Sequence, residues 1–278
     1  MEGEAARLMA RTLTDEQVRA EAERHERARV EVVSIAPVTV EHPAATLDDA
    51  YAIQQAWVEM QIADGASLIG RKIGLTSRAM QQQMQIGEPD FGALLDYMAI
   101  TEGSELRRAG YVDPRIEVEL AFVIAKRLEG DRLSVIDVLR ATEYVVPALE
   151  LIDARSHRVD PVTKRPRTIV DTIADNAADA GIITGGRPMR VDDVDLRWAG
   201  AILSRNGTVE ETGLAAAVLN HPAYGIAWLA RRLAPHGLAI EPGQVILSGS
   251  FTRAVPAAAG DTFVADYGPL GTVSIHFT

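Results

Sequence analysis

Three glutamates in two apolar runs carry the strongest chemical signal in this chain. Glu117 and Glu119 lie in Ile116-Glu117-Val118-Glu119-Leu120, and Glu150 lies in Ala148-Leu149-Glu150-Leu151-Ile152. Side chains alternate along a strand, so Glu117 and Glu119 share one face while Ile116, Val118, Leu120 and Phe122 take the other. An acidic pair of that kind also fits an ordinary solvated face. Glu150 shifts the balance, because Val145, Val146, Ala148, Leu149, Leu151 and Ile152 around it read as interior on both faces. An interior carboxylate needs a cation, a basic side chain or several N–H donors. Three carboxylates converging from two strands read as an oxygen-donor site for a hard divalent cation.

Lys72 is the next candidate. The chain has three lysines against twenty-five arginines, and Lys72 sits between Ile69 and Ile73 in an apolar run. Burial lowers a lysine pKa and can make it an acid or base near neutrality, whereas an ion pair to a core carboxylate is an equally good account. Asp90 follows Pro89 in a glycine-containing loop and fits a turn residue. Gly249-Ser250-Phe251-Thr252 follows a buried strand; its N–H groups and hydroxyls could hold a carboxylate, or it could be a plain strand exit. The six histidines show no metal-ligand spacing, although His157 and Arg155 lie within reach of Glu150 along the chain. Nothing resembles the elbow of a serine hydrolase.

The elements that must position these groups can be read next. Thr14 and Gln17 fit a capping box for a helix running to about Val30. An extended piece, Val32 to Val40, precedes a second helix, Leu47 to Ala63, capped by Thr46 and stopped by Gly65. Strands are expected at Ser67–Leu75, Glu117–Ile124 and Glu143–Ile152, with helices at Ser77–Gln85, Val135–Ala141 and Thr172–Ala180, the last ended by Gly181. Asp153 to Thr168 reads as a long functional or interface loop. Asn206-Gly207 marks a hairpin, Pro222 opens a helix to Leu233, and Thr262 to Phe277 gives two strands around Gly268-Pro269-Leu270-Gly271. The expected fold class is α+β, with a helical region over residues 1–66 and a β-rich catalytic domain over residues 67–278.

Composition narrows the function. A net charge of −11 argues against nucleic acid. With no cysteine, disulfides, thiolate metal sites and a cysteine nucleophile are excluded. No signal peptide or membrane span is legible, so a cytoplasmic location is expected.

Several stretches recur together in a known family. They are Gly70-Arg71-Lys72-Ile73-Gly74-Leu75-Thr76-Ser77, Glu88-Pro89-Asp90-Phe91-Gly92, Pro114 to Phe122, Pro147 to Asp153, Asp171-Thr172-Ile173-Ala174-Asp175-Asn176-Ala177, and Gly249 to Thr252. In this the chain resembles the hydratase/decarboxylase family of meta-cleavage pathways, within the fumarylacetoacetate hydrolase superfamily. The resemblance covers about Val40 to Phe277 and implies a barrel-like β-rich domain. It implies Mg2+ or Mn2+ on Glu117, Glu119 and Glu150, catalysis by Lys72 and Asp90, and substrate contacts from Arg71, Leu75, Thr76, Ser250 and Thr252. Arg71 stands where relatives often carry histidine. The implied reaction is hydration of 2-oxohept-4-ene-1,7-dioate, through its 2-oxo-3-ene tautomer, to 4-hydroxy-2-oxoheptanedioate in homoprotocatechuate degradation. A distal carboxylate would need a cation, with Arg71, Arg78, Arg155 and Arg158 as candidates. Alternatives are decarboxylation of a 2-oxo-3-enedioate, hydration of 2-oxopent-4-enoate, hydrolysis of an acylpyruvate, or a non-catalytic metal-binding partner in a complex. The implied partners are a small 2-oxo diacid and further copies of the chain, in a dimer-based assembly such as a decamer, with no nucleic acid or membrane.

Overall fold

Thr14 and Thr46 start the two long helices by the same device. Each hydroxyl accepts the backbone N–H of the third helical residue, and that residue's side chain returns a bond to the cap. The computed structural model describes residues 11–77, 81–82 and 86–278. Helix α1 is Asp15–Glu31, α2 is the single turn Val38–Glu41, and α3 is Leu47–Ala63. The extended piece expected to reach Val40 therefore ends at Pro37, whose fixed φ suits the start of a helix. The helix expected from Ser77 to Gln85 lies largely outside the described residues.

The apolar sides of α1 and α3 close on a shared core with Ala93, Leu95 and Met98 from the sheet region and Ile173 and Ala174 from a later helix. Gln54 of α3 stitches this junction, its amide donating to the carbonyls of Phe91 at 2.9 Å and Ile173 at 3.2 Å. Among the described residues, no helix is long and apolar enough to cross a membrane.

The strands are β1 (Leu68–Gly74), β2 (Asp90–Leu95), β3 (Ala99–Thr101), β4 (Glu105–Leu106), β5 (Pro114–Ile124), β6 (Thr142–Asp153), β7 (Asp179–Thr184), β8 (Gly200–Arg205), β9 (Thr208–Leu214), β10 (Val245–Leu247), β11 (Val255–Pro256), β12 (Thr262–Asp266) and β13 (Thr272–Phe277). The larger sheet runs β2-β1-β10-β5-β6-β7-β3, with β11 also on β5, and curls into a half-barrel. The smaller runs β4-β13-β12-β8-β9, with the Asn206-Gly207 turn joining β8 to β9. Ile116, Val118, Leu120 and Phe122 share a core with Phe263, Ile275 and Phe277 of the smaller sheet. Helices α4 (Val135–Ala141) and α6 (Ala223–Leu233) join that core. The fold is thus the expected mixed one, with a small helical region and a large β-rich part.

One expected helix is different. Helix α5 covers only Ile169–Ala174; Asn176, Ala177 and Ala178 then take left-handed φ of 50°, 52° and 59°, and Gly181 lies within β7. Asp175 and Asn176 stop the helix by spending their side chains on distant groups, Asp175 on Arg155 and Asn176 on both backbone groups of Ala93.

Candidate metal centre and active site

Strand register assembles the carboxylates. In the antiparallel β5–β6 pair Glu117 faces Glu150 and Glu119 faces Ala148, so all three acids share one face. One oxygen from each lies within 4.8 Å of the others. Glu119 and Glu150 are fully buried, and Glu117 is partly exposed. Glu119 Oε1 is buried without a hydrogen-bond donor, and Glu150 Oε1, also without a hydrogen bond, meets the Lys72 ammonium. Buried carboxylate oxygens left bare are costly, and an all-oxygen set of this kind suits Mg2+ or Mn2+.

The chain wraps this site between β10 and β11. Both strands pair with β5, but residues 248–254 leave the ladder and arch over Val118 and Glu119. Gly249 N–H donates to Glu119 Oε2 at 2.8 Å. Ser250 Oγ donates to the Thr252 carbonyl at 2.9 Å, and Thr252 Oγ1 accepts Val118 N–H at 3.3 Å. Gly249 has φ +118°, and a Cβ there would sit 2.2 Å from Thr76 Oγ1, so only glycine lets the arch settle onto Thr76.

Lys72 and Asp90 enter from β1 and β2. Lys72 Nζ lies 3.3 Å from Glu150 Oε1. Gly74 pairs with Asp90, and a Cβ on Gly74 would meet Asp90 Oδ1 at 2.2 Å and Lys72 Nζ at 3.3 Å. Glycine at that point lets ammonium and carboxylate share the cavity. Asp90 is 1% exposed and its Oδ1 has no hydrogen-bond donor.

Charge crowding dominates the electrostatics. Burial and the charge of Glu150 push Glu117 up to about 8 and Glu119 well above the carboxylate range. Burial raises Asp90 as well. For Lys72 the burial effect is downward, as expected from sequence, but Glu150, Asp90, Asp179 and Glu117 outweigh it and hold the amine above its ordinary value. The ion-pair account of Lys72 therefore describes the metal-free site, and the lysine stands there as the ammonium.

The other candidates separate. Thr76, Ser250 and Thr252 belong to the arch, and Leu75, with φ 54°, links β1 to it. Arg71 does not join the carboxylates. It projects from the face of β1 opposite Lys72, with its guanidinium 5.9 Å from the centre of the Phe91 ring. Arg155 is consumed by Asp175, which accepts from its Nε and its backbone N–H. His157 binds Ile35 through its backbone N–H. Arg158 pairs with Asp113. Arg78 lies outside the described residues.

Asp179 was not legible in the sequence. A bulge in the β6–β7 ladder sets Leu151 opposite Gly181 but Ile152 opposite Asp179, which turns Asp179 to the face of Glu150. It is fully buried, and neither carboxylate oxygen has a hydrogen-bond donor. The motif Asp171 to Ala177, which precedes it, was visible as a string of residues but not as the anchor of that bulge.

Known proteins resemble this chain in sequence and in fold. Residues 68–278 match the fumarylacetoacetate (FAA) hydrolase C-terminal family. The chain is 56% identical to 2-oxo-hept-4-ene-1,7-dioate hydratase of Escherichia coli, over 92% of this chain and 96% of that one. It is 40% identical to 2-hydroxyhexa-2,4-dienoate hydratase of Comamonas testosteroni, over 88% and 91%. In structure it is similar to 4-oxalocrotonate decarboxylase from Pseudomonas putida G7, complexed with magnesium and adipate, at a TM-score of 0.92, 39% identity and coverage of 97% and 100%. A matched family over most of the chain, relatives of this identity and a shared fold lead to one conclusion: the chain belongs to the fumarylacetoacetate hydrolase family.

Proposed function

We propose that this chain is a divalent-metal-dependent hydratase that converts 2-oxohept-4-ene-1,7-dioate to 4-hydroxy-2-oxoheptanedioate in homoprotocatechuate degradation. The observation that carries the reading is the three-carboxylate cluster with Lys72 beside it, in a chain so similar to a hydratase of that substrate. Glu117, Glu119 and Glu150 would hold Mg2+ or Mn2+, which when bound supplies Lewis-acid polarisation of the 2-oxo acid head.

The chain's own residues handle protons and position. Lys72 is the acid and base: the enol proton leaves the 2-hydroxydienoate oxygen and a proton is delivered to C5, giving the conjugated 2-oxo-3-ene. Asp90 holds water for attack at C4, and a proton goes to C3 to complete the addition. The arch from Gly249 to Thr252, with Thr76, shapes the pocket around the acid head. Leu75 sets the path of the chain into that pocket. We also propose that the chain works as a homo-oligomer built from dimers, a decamer being one such assembly.

The test is incubation of metal-stripped protein with 2-hydroxyhepta-2,4-diene-1,7-dioate, with and without Mg2+, following the conjugated chromophore and the product mass. Mg2+-dependent gain of one water supports the reading. Loss of carbon dioxide from 2-oxohex-3-enedioate, without hydration, would make the chain a decarboxylase like its structural relative. Glu150→Gln is expected to lower turnover at least about 100-fold and weaken the metal by about 10- to 100-fold; full activity in that variant would remove Glu150 from the site.

A further inference from the structure

Three guanidinium groups crowd the outer side of the carboxylate cluster, and each has a buried N–H that nothing in the described chain accepts. They are Arg115 Nε, Arg158 Nη2 and Arg167 Nη1. Arg115 lies two residues before Glu117 on β5, so it shares the face of the acids, roughly 6.8 Å further along the strand. The loop after β6 brings the other two together. Arg167 N–H donates to the Arg158 carbonyl at 2.9 Å, and Val159 and Pro166 form an antiparallel bridge. Asp160 closes the turn between them, accepting Thr163 N–H at 2.6 Å.

Only one carboxylate among the described residues lies within ion-pair distance of these cations. Asp113 pairs with Arg158, and lies 3.7 Å from Arg115. Arg167 has no ion-pair partner among the described residues. The three guanidinium groups therefore keep directed N–H donors in surplus, although the charges of Asp171, Asp175 and Glu117 also reach them. Such groups are seldom buried without an acceptor. The cluster lies beside the cavity already described: Arg115 shares the strand face of Glu117, and the charges of Arg158 and Arg167 reach the carboxyls of Glu117 and Asp90. Guanidinium forks match a carboxylate in two-point geometry, which makes an organic acid the fitting occupant.

We propose that Arg115, Arg158 and Arg167 form the subsite for the second carboxylate of the substrate, and so select 2-oxo diacids over 2-oxo monoacids. This rests on the reading of the glutamate cluster as the seat of the 2-oxo acid head. Arg71 and Arg155 are excluded from the role by their opposite face and their existing partner.

The test uses saturated ligands that cannot react. Calorimetry on the Mg2+-loaded protein compares 2-oxoheptanedioate with 2-oxoheptanoate. The native chain is expected to favour the diacid at least about 30-fold. Arg167→Gln, and separately Arg158→Gln combined with Asp113→Asn, are expected to weaken the diacid about 10- to 100-fold and leave the monoacid within about twofold. Monoacid binding reports that the site is still folded; a double variant that loses it leaves Arg167→Gln, which keeps the Asp113 pair, to decide. Equal affinity for the two ligands in the native chain, or an undiminished diacid preference in Arg167→Gln, overturns the subsite. A native chain that prefers the diacid yet adds no water to the ene diacid overturns the hydratase reading and leaves the subsite standing.

Discussion

At the scale of single residues, Glu117, as a proposed metal ligand, would tie proton and metal together. Its carboxyl, ordinarily near 4.5, is pushed up to about 8 by burial and by Glu150. Below about pH 4.5 the folded and unfolded chains both carry the proton. Between 4.5 and 8 only the folded chain keeps it, so the stability this proton lends the metal-free protein is lost as pH rises through 8. A cation competes for the same oxygens. Mg2+ affinity is therefore expected to rise at least about tenfold per pH unit from pH 6 to 7.5, and Glu119, held higher still, keeps it rising beyond 8. Calorimetry in buffers of different ionisation heat would read both the affinity and the released proton; an affinity flat across that range would remove Glu117 from the ligand set. Strand alternation and apolar neighbours made the three glutamates legible in the sequence. The sign of the Lys72 shift was not, because burial can be read from neighbours along the chain whereas the acids from β2, β5, β6 and β7 around it come from the fold.

At the scale of elements, the stretch from Asp171 to Ala178 is a clamp. Asn176, held at φ 50°, accepts Ala93 N–H at 2.8 Å and donates to the Ala93 carbonyl at 2.9 Å. These bonds fix β2, which carries Asp90, against the turn that delivers Asp179. Asn176→Ala strands two buried backbone groups and places alanine in a conformation asparagine tolerates better. The expected cost is about 3 kcal/mol, read from urea denaturation, with turnover falling alongside. A loss under about 0.5 kcal/mol would show the clamp to be redundant. This element marks the limit of sequence reading. The capped helices α1 and α3 were legible because their signals are local. Here the helix ends early because side chains bond to groups far away in sequence, which no periodicity can reveal. The same limit separated Arg158 from Arg155, two like residues three apart whose partners are set only by folding.

At the scale of the whole molecule, the smaller sheet leaves apolar surface uncovered. A groove of about 730 Å3 runs between β8–β9 and the turn before β13, lined by Trp198, Ile202, Leu214 and Tyr267. Trp198 is 71% exposed, which is unusual for so large an apolar side chain. If the proposed homo-oligomer is joined here, Trp198→Arg moves the protein to smaller assemblies in size-exclusion chromatography with light scattering; an oligomer of unchanged mass would place the subunit contacts elsewhere. Tyr267 belongs to this groove and also to the centre, for its one O–H is shared between the Glu119 carbonyl at 2.8 Å and the Ala148 carbonyl at 2.6 Å. A partner seated against that ring would press on the two strands that carry the acids. In the proposed assembly, protein concentration would then be a control variable: on dilution, each chain would lose grip on its cation before it lost its fold.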